Sequence, residues 1–357
     1  MRVLVVHPGA SWSTADVDAG LRWGLQHHGV EVIEYRLDSR IDHSQRWLYR
    51  AWRRSKARHG TQRPTTADVF YHAGVGAIER ALRHQVDAVI VVSAMFMHPD
   101  VIIMLKRAGV RVVALFTESP YDLPKELQIA RLVDGCWTIE RSSVPAFEAV
   151  NRNVGYLRHA WLPGRHTAEP DATDPSVPAH DVVFVGSAFR ERVDFFNAID
   201  WTGIDLGLYG NWTALSSRHR LRHFVRPPSP VPNALTAALY RRAKVTINLY
   251  RTSQGFGKDA PSIEHAESLN PRAYELAACG AVSVSSYRAE VPEVFGALVP
   301  TITTPAEAEA TIRALLEDDD QRTRIAKQLP SIVARHSWAD RARQVIGDLQ
   351  TLLRAAA

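Results

Sequence analysis

Glu267 and Glu275 stand eight positions apart in Glu267-Ser268-Leu269-Asn270-Pro271-Arg272-Ala273-Tyr274-Glu275. Inside that run, Asn270-Pro271 has the order of a capping residue followed by a first-turn proline. Gly280, just past Leu276-Ala277-Ala278-Cys279, stands where a helix begun there would stop. A helix start presents unpaired backbone N–H groups and the positive end of the dipole, so it attracts phosphate. If the nonapeptide opens a helix, its two carboxylates fall about two turns apart, roughly 12 Å by helix rise. One acid then stands beside the phosphate end of a bound molecule while the other reaches further along it. An anion cradle flanked by acids that read hydroxyls is what a sugar nucleotide needs.

The diphosphate of a bound sugar nucleotide is negatively charged, and cations must meet it. Arg192, in Gly186-Ser187-Ala188-Phe189-Arg190-Glu191-Arg192, is the first candidate. Arg251 and Lys258 follow, on either side of Thr252-Ser253-Gln254-Gly255-Phe256-Gly257, whose glycines suit a loop closing on phosphate. Gly186, Ser187 and Gly210 join this donor-binding set, with the backbone N–H groups of Ser268, Leu269 and Asn270. Arg272 either meets the phosphate or pairs with Glu275 three positions on.

In the first half of the chain, His7-Pro8-Gly9-Ala10-Ser11 follows an apolar run, and a glycine there lets backbone approach a ligand. His7, Gly9 and Ser11 are acceptor-binding candidates. Thr117-Glu118-Ser119-Pro120-Tyr121-Asp122 follows another such run, and Glu118 or Asp122 could orient an acceptor hydroxyl. A turn or helix cap accounts equally well for Ser119-Pro120. His159 reads as a packed histidine, and Asp318-Asp319-Asp320 as a solvated turn far from the nucleotide motif, not a metal site.

The run from Arg46 to Arg63 holds Arg46, Arg50, Arg53, Arg54, Lys56, Arg58 and Arg63, no acid, and the rings of Trp47, Tyr49 and Trp52. Cations mixed with rings suit nucleic acid or another polyanion, or an anionic membrane surface. An exposed helix whose tryptophans pack inward fits the same residues. Arg218–Arg226 carries the same ambiguity.

These residues need a scaffold, and 357 residues suit two domains. The formal charge of +5 fits an acidic ligand without requiring one. Two cysteines in apolar segments, Cys136 and Cys279, read as buried reduced thiols. The longest apolar run, Ala88 to Met97, is about half a bilayer crossing, and the N-terminus lacks a signal peptide's apolar core. A cytoplasmic protein is expected.

Short apolar runs alternate with helical patterns in each half. Val3–Val6, Val30–Tyr35, Asp87–Val92, Val110–Phe116 and Gly135–Ile139 read as strands of a first parallel, doubly wound sheet. Asp181–Gly186, Ile204–Tyr209, Val245–Tyr250 and Ala281–Ser285 begin a second, followed by a helix-rich ending from Pro305. A polar, proline-rich stretch separates them. The expected boundaries are a first domain at 1–162, a linker at 163–180, a second domain at 181–337 and a returning helix at 338–357.

Val245-Thr246-Ile247-Asn248-Leu249-Tyr250-Arg251, followed by Glu267 through Gly280, resembles the C-terminal core of the two-domain glycosyltransferases of the B fold (GT-B). The Glu-x7-Glu spacing is similar to that of the retaining, family 4-like members. Ser268-Leu269-Asn270-Pro271-Arg272 with Tyr274 through Gly280, Asp181–Arg192 and Thr117–Tyr121 more narrowly resemble the spore-maturation (CgeB-like) branch. The resemblance implies two Rossmann-like domains facing a central cleft, with the C-terminal helix packing back on the first. It further implies a retaining transfer from a nucleoside diphosphate sugar, UDP-linked by family frequency, to an acceptor hydroxyl, with no metal and no cofactor. Glu267 would contact the donor sugar near its reacting carbon, and Glu275 the ribose hydroxyls. The family usually carries an Arg/Lys pair after the first strand of the second domain; here that place holds arginines and no lysine. A sugar-nucleotide epimerase of the same fold, a transferase acting on modified bases in DNA, and a non-catalytic nucleotide-sugar-binding protein are the other readings.

Overall fold

The computed structural model describes every residue except 10–14, 60, 170–175, 230, 254–261, 264 and 356–357. It forms two compact units, Met1–Arg158 with Trp338–Ala357, and His159–Ser337.

The first unit is built on six parallel strands, β1 (Arg2–His7), β2 (Glu31–Arg36), β3 (Ala88–Val92), β4 (Arg111–Phe116), β5 (Gly135–Thr138) and β6 (Val154–Tyr156), in the order β2-β1-β3-β4-β5-β6. The central strands read Val-Leu-Val-Val and Ala-Val-Ile-Val-Val because helices cover both faces of a parallel sheet. Every residue of β3 is fully buried.

The helix Trp338–Arg354, late in the chain, completes this unit by packing on the helix Ala15–His27. The fit is close enough to exclude side chains. A Cβ on Gly20 would fall 2.1 Å from the Trp338 ring, and one on Gly24 would fall 2.3 Å from the Trp338 carbonyl. His28 Nε2 lies 2.8 Å from the Ala339 carbonyl, and Trp137 donates to Asp348 at 2.8 Å.

The second unit has five parallel strands, β7 (Val182–Val185), β8 (Leu206–Tyr209), β9 (Val245–Asn248), β10 (Ser283–Ser286) and β11 (Thr301–Ile302), in the order β8-β7-β9-β10-β11. Its core gathers Phe184, Phe196, Trp201 and Trp212 with the aliphatic side chains of β7, β9 and β10. In each sheet the first strand lies between the second and third. Winding therefore reverses between β1 and β3, and again between β7 and β9. Ligands of open α/β sheets bind outside the carboxyl ends of strands at such points.

All nine expected strands are present, while the short edge strands β6 and β11 were not anticipated. Asp318 is a helix cap and no plain turn: its side chain accepts from the Gln321 amide at 2.7 Å and starts the helix Asp319–Ile332. Cys136 and Cys279 are free and buried, and burial pushes both thiols up to about 12. No described helix is long and apolar enough to cross a membrane.

Candidate functional site

The helix Pro271–Ala278 starts where the sequence places it. Asn270 caps it, its side-chain oxygen accepting from the Ala273 amide at 3.0 Å, with Pro271 in the first turn and Gly280 beyond the end at φ +65°. Glu267 lies three residues ahead of that cap and outside the helix. The 12 Å spacing from helix rise therefore does not apply, because only Glu275 has helical backbone. Glu275 is buried and Glu267 half-buried. Within this unit, a carboxylate oxygen of Glu275 and a ring nitrogen of His166 come within 4.8 Å of each other. Burial first, with Arg165 and Arg241 adding to it, depresses His166 to about 3. Its Nδ1 accepts from the Leu162 amide at 3.1 Å, which puts the proton of the neutral ring on Nε2.

Asn248, at the end of β9, ties the helix start to the sheet. Its side-chain oxygen accepts from Asn270 Nδ2 at 2.8 Å and from Arg272 Nη1 at 3.2 Å. The cations gather around two rings. Arg192 and Arg272 lie over Phe184, at 5.4 and 5.2 Å from its centroid, and Arg192 and Arg251 lie over Phe189, at 5.1 and 5.4 Å.

Arg192 departs from its expected role. It is buried, and its guanidinium donates to the Ser187 carbonyl at 3.1 Å and the Leu249 carbonyl at 2.9 Å. Two main-chain bonds make it a brace between the ends of β7 and β9. Arg251 and Arg272 are half-buried and hold the better positions for an anion. Lys258 lies outside the described residues, as does Ser11.

Gly186 and Gly210 meet back to back. A Cβ on Gly210, at φ +110°, would fall 2.5 Å from the Gly186 carbonyl oxygen. A Cβ on Gly186 would strike the Phe184 ring at 2.8 Å and Arg272 Nη2 at 3.1 Å.

Of the three amides expected to face phosphate, that of Leu269 is already taken, donating to Glu290 Oε2 at 3.0 Å. Ser268 is buried, and Asn270 is half-buried. Glu290 is fully buried, and its own amide donates to the Glu267 carbonyl at 3.1 Å. Two residues earlier, Arg288 donates to the Ala266 carbonyl at 2.6 Å and the Arg251 carbonyl at 3.1 Å, with its guanidinium 5.0 Å from the Tyr250 centroid. Arg288 and Glu290 thus hold the backbone on both sides of Glu267. No sequence signal singled them out, because their partners are carbonyls and amides 20 or more residues away.

In the first unit, His7 is enclosed. Its Nε2 lies 2.9 Å from Glu34 Oε1 and its Nδ1 3.1 Å from Asp18 Oδ2, at 2% exposure. Both ring nitrogens face carboxylates, so His7 is not open to an acceptor. Gly9, at φ +109°, leaves room for Asp38: a Cβ there would fall 2.1 Å from that carboxylate. Asp122 precedes the helix Leu123–Ala130 without capping it and pairs with Lys125 at 2.8 Å. Glu118 is half-buried, and its amide donates to Glu126 at 2.8 Å.

Glu126 was not anticipated. It is fully buried and also accepts from the Ser119 hydroxyl. Burial raises it to about 7, with Glu118 and Asp122 adding and the hydrogen bonds from Ser119 and Glu118 pulling back. The folded value exceeds the unfolded one, so this stabilisation is full below the unfolded value of 4.5 and is lost as pH rises through about 7. Between these limits the loss is about 3 kcal/mol. His166 acts in the opposite sense, its stabilisation present above about 6.5 and lost as pH falls toward 3. Melting curves of wild type and Glu126→Gln between pH 5 and 8 check the first. The difference between them should shift by about 2–3 kcal/mol toward the variant as pH rises. A constant difference would mean that Glu126 does not titrate there.

Residues 190–347 match the family model described as glycosyl transferase-like. No curated protein sequence matches the chain. Among solved structures, Alr3699/HepE of Anabaena in complex with UDP-glucose superposes with a TM-score of 0.65 at 13% identity, covering 98% of this chain and 100% of its own. The α,α-trehalose 6-phosphate synthase of Burkholderia multivorans gives 0.63 at 12% identity over 100% of both chains. A Listeria monocytogenes protein named as a candidate UDP-N-acetylglucosamine 2-epimerase gives 0.58 at 9% identity, over 98% of this chain and 96% of its own. At such identities the likeness is one of fold, and the fold is the two-sheet α/β architecture of GT-B.

Proposed function

We propose that this glycosyltransferase-type enzyme is a retaining, metal-independent transferase of the family 4-like, spore-maturation (CgeB-like) branch. It moves a sugar from a nucleoside diphosphate sugar to an acceptor hydroxyl in the cytoplasm. The observation that carries the reading is the convergence of Arg251, Arg272 and a capped helix start at the reversal between β7 and β9, with Glu267 just ahead of the cap. Helix dipole and guanidinium groups together offset the charge of a departing diphosphate, which a metal does in other transferases. UDP is placed first because the Anabaena protein is described in complex with UDP-glucose.

In this reaction the bond from the anomeric carbon to the diphosphate oxygen breaks as the bond to the acceptor oxygen forms on the same face. The leaving phosphate takes the acceptor proton, so configuration is kept. Glu267 offsets positive charge at the anomeric carbon, and Glu275 accepts hydrogen bonds from the ribose. The acceptor is assigned to the first unit.

A thermal-shift panel of UDP, GDP, ADP and dTDP on wild type and Glu275→Ala tests the donor site. A ligand at about a hundred times its dissociation constant adds roughly 2.7 kcal/mol, a shift of several degrees. UDP should stabilise wild type and lose most of that effect in the variant; a flat response to all four would sink the reading. Incubating donor sugar nucleotide without acceptor separates the classes further. A transferase hydrolyses it slowly, an epimerase forms a new sugar nucleotide, and a binding protein leaves it unchanged.

A further inference from the structure

The helix Asp38–His59 follows β2 and packs chiefly on the helix Thr66–Gly74. At about 100° per residue, Arg46, Arg50, Arg53 and Arg54 fall along one stripe, while Ile41, Ser44 and Leu48 fall on the opposite side. Burial agrees with this division. The four arginines are exposed, Ser44 is buried, and its hydroxyl lies 2.9 Å from His72 Nδ1 on the neighbouring helix. Lys56 and Arg63 are exposed as well. None of these six cations is paired with a described carboxylate. The side chain of Arg58 lies outside the described residues.

The three rings of this run have different uses. Tyr49 donates to the Pro64 carbonyl at 3.3 Å and Trp52 to the Thr61 carbonyl at 2.9 Å, folding the return segment onto the helix. Arg63 and Lys56 lie over those two rings at 5.2 Å each. Trp47 is left at the flank of the arginine stripe, 51% exposed. One face stacks on His72, with centroids 5.0 Å apart and planes 19° from parallel. Arg46 Nε donates to the Asp42 carbonyl at 3.2 Å, and a ring held flat from behind beside a row of guanidinium groups with no described carboxylate partner is a stacking platform with an electrostatic track.

We propose that this helix is a binding arm for single-stranded nucleic acid, with phosphates along Arg46, Arg50, Arg53 and Arg54 and an unpaired base on Trp47. Guanidinium suits phosphate better than ammonium, through its fork of donors. Single strands offer free base faces that a duplex keeps internal. A membrane-binding helix would need a continuous exposed apolar face beside its cations. Here the apolar side is turned to Thr66–Gly74. The assignment holds whether or not nucleic acid is the sugar acceptor, and its test uses no sugar nucleotide.

The test is fluorescence anisotropy with a labelled oligothymidylate of about twenty nucleotides, longer than a typical binding site. Four arginine–phosphate contacts predict a slope of log affinity against log salt near −3 between roughly 50 and 200 mM. Combining Arg46→Glu, Arg50→Glu, Arg53→Glu and Arg54→Glu should weaken binding more than tenfold and flatten the slope, with circular dichroism and melting temperature checking the fold. Trp47→Ala should weaken binding about tenfold with the slope unchanged. Absence of salt-dependent binding, wild-type binding by the charge-reversed protein, or equal binding of a matching duplex unaffected by Trp47→Ala would each overturn the proposal. So would co-sedimentation with phosphatidylserine vesicles under conditions where the oligonucleotide does not bind.

Discussion

Glu267→Gln is expected to leave the melting temperature and UDP binding near wild type while lowering kcat by roughly a hundred- to a thousandfold, the scale seen when one preorganised transition-state contact is removed. The backbone around Glu267 is held independently of its side chain. The Glu290 amide holds its carbonyl, and Arg288 holds the carbonyls of Ala266 and Arg251. Glutamine keeps the shape and removes the charge, so the variant isolates electrostatics from scaffolding. Steady-state kinetics decides the role. Falls in kcat and kcat/KM by the same factor mark a contact made in the transition state. A rise in KM alone would instead make Glu267 a sugar-binding contact, and an unchanged enzyme would remove it from the mechanism. Glu275→Ala should act differently, raising the KM for donor.

Gly210→Ala carries the largest expected cost to stability. The residue sits at φ +110°, where an L side chain is strained by about 1–3 kcal/mol. The added methyl would also fall 2.5 Å from the Gly186 carbonyl oxygen, and backbone cannot step aside as a flexible side chain can. Overpacking of that kind costs a further 1–3 kcal/mol. Together these predict a loss of about 2–6 kcal/mol, with melting lowered by roughly 10 °C for a unit of this size. Relief would come from parting the ends of β7 and β8, next to the reversal between β7 and β9 where the candidate donor site is proposed. UDP stabilisation should therefore shrink as well. A melting temperature within a degree of wild type would show that the two strand ends have slack the structure does not reveal.

Strand content was legible because parallel strands buried on both faces are continuous runs of Val, Ile and Leu, and such runs stand out against helical periodicity. β6 and β11 escaped because three and two residues at a sheet edge bury too little to leave a pattern. The start of Pro271–Ala278 was legible for a local reason, since cap, proline and terminal glycine lie within one short segment. The fate of Arg192 was not. Whether an arginine meets solvent or two carbonyls depends on Leu249, 57 residues away. Arg288, Glu290 and Asn248 were hidden likewise, their meaning lying in partners that fold topology brings near, while Glu126 was hidden by its burial and not by the distance to Glu118 and Ser119. His7 was correctly placed at the end of β1, but the carboxylates of Asp18 and Glu34 that enclose it belong to other elements.

The first unit is interrupted in the chain. Gly20 and Gly24 are shaped for Trp338, yet the whole of His159–Ser337 is translated between them and their partner. On a ribosome adding about 5–20 residues per second, the groove on Ala15–His27 waits roughly fifteen to sixty seconds for the helix that fills it. The unit encoded second can therefore finish folding first. Any chain broken off before Trp338 carries an open apolar groove, a mark by which chaperones and proteases can tell unfinished molecules from complete ones.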